Sequence, residues 1–173
     1  MRPVDDDKEL SRKPADVSLD EFLKIYGGIY EHSPWIAEGA FKSGATTVRA
    51  MHDTMKKTVA AGTDEQKMAL VKAHPDLACA PAEAATLTAS SVSEQKGAGL
   101  KECTPEEYAE FQQLNRDYKA KFGFPFIVAV KGLHRTDILQ LFRQRIKNDP
   151  ATEFATALQQ IDRIAYFRLM GLP

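Results

Sequence analysis

Cysteine occurs only twice in this chain, at Cys79 and Cys103, too sparsely for a disulfide framework and without metal-site spacing. The expectation is a pair of packing thiols in a reducing compartment. Charge of one sign is also lacking. The formal net charge is −1, with acids and bases intermixed, so no electrostatic footprint for nucleic acid is present. No apolar run approaches the roughly 18 residues that span a bilayer. Met1 to Lys8 lacks the apolar core of a secretory signal, and Gly171-Leu172-Pro173 is no peroxisomal Ser-Lys-Leu address, so the cytoplasm is the expected compartment. His32, His52, His74 and His134 fall at no paired metal spacing, and Gly97 and Gly99 lack the flanks of a phosphate cradle. What remains is an ordinary globular composition: 173 residues, 43% apolar and 27% charged, enough for one core.

Helical punctuation fills most of the chain. Residues 1–17 are polar and proline-broken and read as a loose lead-in, with a single helical domain over 18–173. Ser18-Leu19-Asp20-Glu21 is a capping box ahead of Phe22, Leu23, Ile25 and Tyr26. Ser33-Pro34 places a cap before a proline at the first helical position, starting a helix through about Lys42. Val48, Met51, Met55 and Val59 recur at threes and fours before the stop at Gly62. Thr63 to Gln66 caps a helix that ends at the proline after His74. Residues 75–90 have no period and read as a long loop, and Ser91 opens a helix to about Leu100. Thr104-Pro105-Glu106-Glu107 opens a strong helix, and two more run from about Thr136 to Lys147 and from Pro150 to Met170. β character is confined to Phe122–Val130, where Pro125 argues against a central strand; a buried extended segment between helices is expected. The fold class is all-α.

The segment from His74 to Leu100 gathers polar residues at helix ends, where side chains and free N–H groups converge on small polar ligands. Each has a plainer reading. His74 suits the negative end of a helix dipole, and Ser91-x-x-Glu94 is itself a capping box, which leaves Gln95 a solvated helix residue. The surroundings of Ser91 lack the strand–turn–helix of a hydrolase elbow, so a serine nucleophile is not expected. Arg168 complements the dipole of the last helix, and Trp35 packs in the core.

The string His74-Pro75-Asp76-Leu77-Ala78, with Leu87-Thr88, Ser91-x-x-Glu94-Gln95 and Ala98-Gly99-Leu100, resembles the signature of the 2-oxo-4-hydroxy-4-carboxy-5-ureidoimidazoline (OHCU) decarboxylases of urate breakdown. Further likeness lies in Tyr30-Glu31-His32-Ser33-Pro34-Trp35, in Thr104-Pro105-Glu106-Glu107, Asn115 and Lys121–Phe126, and in Ile164-Ala165-x-x-Arg168-Leu169. It extends from about Leu19 to Leu169. Ser90 stands where the family usually has an acid, and Cys79-Ala80-Pro81 where it has glycine and a basic residue.

The resemblance implies a cofactor-independent carboxy-lyase that yields (S)-allantoin. It implies His74 and Glu94 as catalytic residues and Pro75, Ser91, Gln95, Phe126, Ile127 and Arg168 as substrate-binding ones. Neither metal nor organic cofactor is expected, and the partner is a small anionic ureidoimidazoline. A homodimer is implied; nucleic acid and membrane are not. Two other readings compete: a helical interaction module without chemistry, and a related lyase acting on another ureido or hydroxy-acid ring. Gln95 and Arg168 cap nothing, so they serve an enzyme and are idle in a module.

Overall fold

The computed structural model describes residues 8–77, 100 and 103–172. Seven α-helices lie among them: α1 (Leu19–Tyr26), α2 (Pro34–Phe41), α3 (Val48–Ala60), α4 (Asp64–Lys72), α5 (Pro105–Phe122), α6 (Arg135–Arg145) and α7 (Pro150–Met170). A 3-10 turn, Pro14–Asp16, precedes α1. Among the described residues there is no strand beyond the isolated bridge of Glu9 with Thr47, so the fold is all-α. The helix expected from Ser91 lies outside the described residues.

Local chemistry sets the boundaries. The Ser18 hydroxyl accepts from the Glu21 N–H at 3.2 Å, and reciprocal capping boxes form at Thr63–Gln66 and Thr104–Glu107. Asp149 caps α7, taking the Thr152 N–H at 2.9 Å and its hydroxyl at 2.7 Å. These two bonds hold the Asp149 carboxyl below its ordinary pKa. The sequence misses a cap at His134, whose side chain accepts from Thr136 while Asp137 reaches back to the His134 N–H, so α6 starts at Arg135. Gly123 ends α5 at φ +78°, in the left-handed region open to glycine. Ser33 precedes α2 but makes no cap; its hydroxyl instead donates to the Glu31 carbonyl at 2.8 Å.

By contact the chain falls into two compact units, Met1–Ala73 with Asp162–Pro173, and His74–Ile161. In the first, α1, α2, α3 and α4 bury Phe22, Tyr26, Ile36, Ala40, Met51, Met55, Leu70 and Val71. A Cβ on Gly39 would stand 2.6 Å from Thr58 Cγ2, so glycine is what allows α2 to lie this close to α3. The tip of the Trp35 ring would stand 3.1 Å from a Cβ on Gly62, in accord with a packing role for the indole. The lead-in is pinned from Lys8 onward. The Leu10 N–H donates to the Thr46 carbonyl, Tyr26 Oη to the Arg12 carbonyl, and Lys8 Nζ to the carbonyls of Met170 and Leu172.

The second unit is built on α5, α6 and the start of α7 around an aromatic cluster. Phe126 stacks on Phe142 at 3.9 Å, and Tyr118 meets both edge-on at 5.5 and 5.7 Å. Residues 124–130 carry neither helix nor strand and are buried throughout, the expected segment between helices. Cys103 is disulfide-bonded, which overturns the packing-thiol reading there; Cys79, the chain's other cysteine, lies outside the described residues.

Candidate active site

His74 stands directly after Ala73, the C-cap of α4, and is only 7% exposed. Pro75 forbids further helix, so the chain turns away and the imidazole stays at the helix end. Two contacts hold the stretch of chain that leaves it. Asp76 pairs with Lys119 at 2.6 Å, and Asn115 Nδ2 donates to the Leu77 carbonyl at 3.1 Å. Both partners lie on α5, which fixes the His74-Pro75-Asp76-Leu77 turn within its unit.

The same unit holds Phe126 and Ile127. A charged network buried beneath them sets their backbone. Arg145, 8% exposed, donates from one terminal nitrogen to the Ile127 carbonyl at 2.6 Å and from Nε to Glu153 Oε1 at 2.7 Å. Its guanidinium carbon lies 4.4 Å from the centre of the Phe126 ring. Fully buried Glu153 also takes the Tyr118 hydroxyl at 2.5 Å and Asn148 Nδ2 at 3.1 Å. Burial, reinforced by the bond to Glu153, pushes the Tyr118 hydroxyl well above the ordinary tyrosine pKa, so it stays a donor. The Ala129 N–H is taken by Gln160 Oε1 at 2.9 Å.

With those bonds made, no acceptor among the described residues meets the N–H groups of Phe126, Ile127 or Val128. All three residues are buried, between 1 and 7% exposed. Buried backbone donors are nearly always paired, so a run of three without partners is suited to receiving oxygen atoms from a ligand. The Ile127 carbonyl is engaged by Arg145, so its N–H is the backbone group left to meet a ligand.

Arg168 belongs to the other unit, in the last turn of α7. Its side chain is 6% exposed, and one terminal nitrogen donates to Glu31 Oε1 at 2.7 Å. The other lies 3.3 Å from the Ile29 carbonyl. A dipole-complementing arginine would sit in solvent; this guanidinium is buried against a carboxylate that is itself 1% exposed. Ser91, Glu94 and Gln95 lie outside the described residues. Among the described residues no cluster of three metal-ligating side chains occurs.

Sequence reasoning misses Glu31, Arg145, Glu153 and Tyr118. Nothing local marks them, since a buried acid and an exposed one read alike in sequence and their partners are distant. One signal was available for Glu31. It lies in the polar turn between Tyr30 and the Ser33-Pro34 helix start, within a string the family shares.

The model of the OHCU decarboxylase family matches residues 15–170. A 2-oxo-4-hydroxy-4-carboxy-5-ureidoimidazoline decarboxylase from Haloferax volcanii is 38% identical over 151 residues, covering 87% of this chain and 88% of that one. A uric acid degradation bifunctional protein from Bacillus sp. (strain TB-90) is 36% identical over 158 residues, 91% of this chain but 31% of the longer relative. This chain therefore spans about a third of that bifunctional protein and nearly the whole of the single-function one. Among solved structures, one described as (S)-allantoin synthase aligns over 90% of this chain and 51% of its own, with a TM-score of 0.71 and 30% identity. An OHCU decarboxylase solved in the presence of (S)-allantoin shares the fold, with a TM-score of 0.66 at 22% identity. The helical architecture, the His74-Pro75 turn and the match across nearly the full length lead to one conclusion: the chain belongs to the OHCU decarboxylase family.

Proposed function

We propose that this protein decarboxylates 2-oxo-4-hydroxy-4-carboxy-5-ureidoimidazoline to (S)-allantoin in urate breakdown. The observation that carries this reading is the family match over residues 15–170, supported by the Haloferax volcanii relative of that name at 38% identity. The substrate explains why no cofactor is needed. One ring carbon bears the carboxylate and a hydroxyl, and its neighbour bears the ureido group and a C=N bond. When the bond to CO2 breaks, its electron pair moves into the C=N bond, as in a β-imino acid. The ring nitrogen takes a proton, leaving a hydroxyl-bearing C=C. The ureido carbon then gains a proton on one face as the hydroxyl gives one up and becomes the ring carbonyl. The electron sink that pyridoxal phosphate, thiamine or a metal would supply is thus already in the substrate.

The protein holds the ring, stabilises developing charge and moves protons with facial selectivity. His74 takes the proton work at the substrate hydroxyl, because imidazole both gives and accepts a proton near neutrality. Glu94 orients it or binds the ureido and ring N–H groups. Ser91 and Gln95 bond the ring carbonyl and the ureido group, and Pro75 shapes the turn that carries His74. The N–H groups of Phe126, Ile127 and Val128 supply donors for carboxylate or carbonyl oxygen, which supports Phe126 and Ile127 as substrate contacts. Arg168 provides the planar cation that suits an anionic, carbonyl-rich ring.

The test is to generate the unstable substrate in situ from urate and follow the product by circular dichroism. Allantoin is expected to form faster than in buffer and as one enantiomer; racemic product at the buffer rate contradicts the reading. A homodimer is proposed on the resemblance, and the cytoplasm on the lack of a targeting address noted above. Sedimentation at micromolar concentration checks the dimer. Fractionation of the cells, followed by an immunoblot for this chain, checks the compartment.

A further inference from the structure

The turn between α1 and α2 grips α7 with two consecutive residues. Tyr30 Oη donates to Asp162 Oδ1 at 2.7 Å, and Glu31 takes Arg168 at 2.7 Å. Those two anchor points on α7 are roughly 9 Å apart along the helix axis. The backbone that presents them is held in an unfavourable conformation: His32, at φ +46°, is the only non-glycine residue at positive φ among those described. The Ser33 hydroxyl donates to the Glu31 carbonyl, and its oxygen takes no N–H of α2. Side chains of both Tyr30 and Glu31 are thereby buried, at 1% exposure each, while His32 projects outward with its side chain 67% exposed.

A buried ion pair is a weak source of stability, since desolvating both charges offsets most of their attraction. Strained backbone and an abandoned cap add to what this turn gives up. What the arrangement does secure is orientation. A carboxylate oxygen on one terminal nitrogen and the Ile29 carbonyl near the other define the plane of the Arg168 guanidinium and restrict its rotation. A planar cation binds a flat, carbonyl-rich anion through directed bonds, so a fixed plane matters more than the charge alone.

We propose that Glu31 is the positioning residue for Arg168, setting the plane in which the guanidinium meets substrate. The proposal rests on the reading above that Arg168 contacts substrate. Glu31 itself touches no substrate and acts only through the arginine.

A kinetic double-mutant cycle on the whole protein tests it, with Glu31→Ala, Arg168→Gln and the double variant assayed on substrate generated in situ. Folding of each is checked by thermal denaturation. Arg168→Gln is expected to lower kcat/KM at least tenfold and Glu31→Ala by a similar factor. The double variant is expected to be no worse than Arg168→Gln alone, because a positioning residue has nothing left to position. Glu31→Gln keeps an acceptor oxygen but loses the charge, so it should recover part of the loss and stand several-fold below wild type. If Glu31→Ala does not fold, Glu31→Gln takes its place in the cycle under the same non-additive expectation. A purely structural Glu31 lowers the melting temperature and leaves kcat/KM of the folded protein intact, or adds its loss to that of Arg168→Gln; either result overturns the proposal. Unchanged kcat/KM in Arg168→Gln overturns the substrate role of Arg168 and the positioning role with it. Full activity of Glu31→Ala beside a crippled Arg168→Gln overturns the positioning role alone.

Discussion

At the scale of single residues, proton chemistry separates the proposed site from its scaffold. Replacing His74 by alanine is expected to lower turnover on the order of 100-fold or more, the usual scale for a general acid–base, with the melting temperature little changed. Steady-state assay with calorimetry checks it, and near-normal turnover removes His74 from the chemistry. His52 makes a different prediction. Its Nε2 donates to the Asp162 carbonyl at 2.7 Å, and burial above all pulls its pKa below the ordinary 6.5. As pH falls through 6.5 the unfolded chain therefore takes up a proton that the fold resists, and stability is lost. Asp162 acts oppositely. Burial raises its carboxyl above the ordinary 3.8, so protonation favours the fold as pH drops through that raised value. Denaturant midpoints between pH 7 and 5 should fall in the wild type and flatten in His52→Gln. An unchanged slope in the variant would assign the loss to another group.

Elements show where a sequence is legible. The caps at Ser18, Thr63 and Thr104 are chemistry between residues three apart, and each is found where the pattern places it. Ser33 looks the same on paper. In the fold its hydroxyl donates to the Glu31 carbonyl two residues back and its oxygen takes no N–H of α2, because the Ser33 backbone, at φ −132° and ψ 63°, departs from the extended geometry of a cap, which no local pattern foretells. The buried 124–130 segment was legible from its composition, but what holds it was not. Arg145 and Glu153 look like surface charges of two helices until the fold brings them under Phe126 and Ile127. Removing one partner leaves the other buried and unpaired, so Glu153→Ala should destabilise by roughly 3–5 kcal/mol. It should also disturb the backbone donors of Phe126 and Ile127 and raise KM. A loss below 1 kcal/mol in denaturant melts would show that the network is not closed as described. Gly39→Ala should also destabilise, because its new methyl meets Thr58; pairing it with Thr58→Ser, which removes the clashing methyl, should recover most of the loss.

Across the whole molecule, family strings spaced over nearly the full length identified the chemistry that local spacing left ambiguous. His74 near a helix end is unremarkable alone, and so is a serine three residues before a glutamate. The order of those strings from the first helix to the last is what a cap or a dipole does not produce. Arg168 and Glu31 lie 137 positions apart and became partners only through the fold. Because the substrate carries its own electron sink, activity should survive exhaustive chelation; loss restored by one particular metal would contradict the mechanism. The central claim is that this chain's own side chains steer CO2 loss and reprotonation to (S)-allantoin. The most direct measurement is a nuclear magnetic resonance time course on carbon-13-labelled substrate generated in situ, comparing chelated wild type with His74→Ala. The account predicts rapid conversion to (S)-allantoin by the wild type and slow conversion by the variant. Equal rates in the two, or racemic allantoin from the wild type, would contradict it.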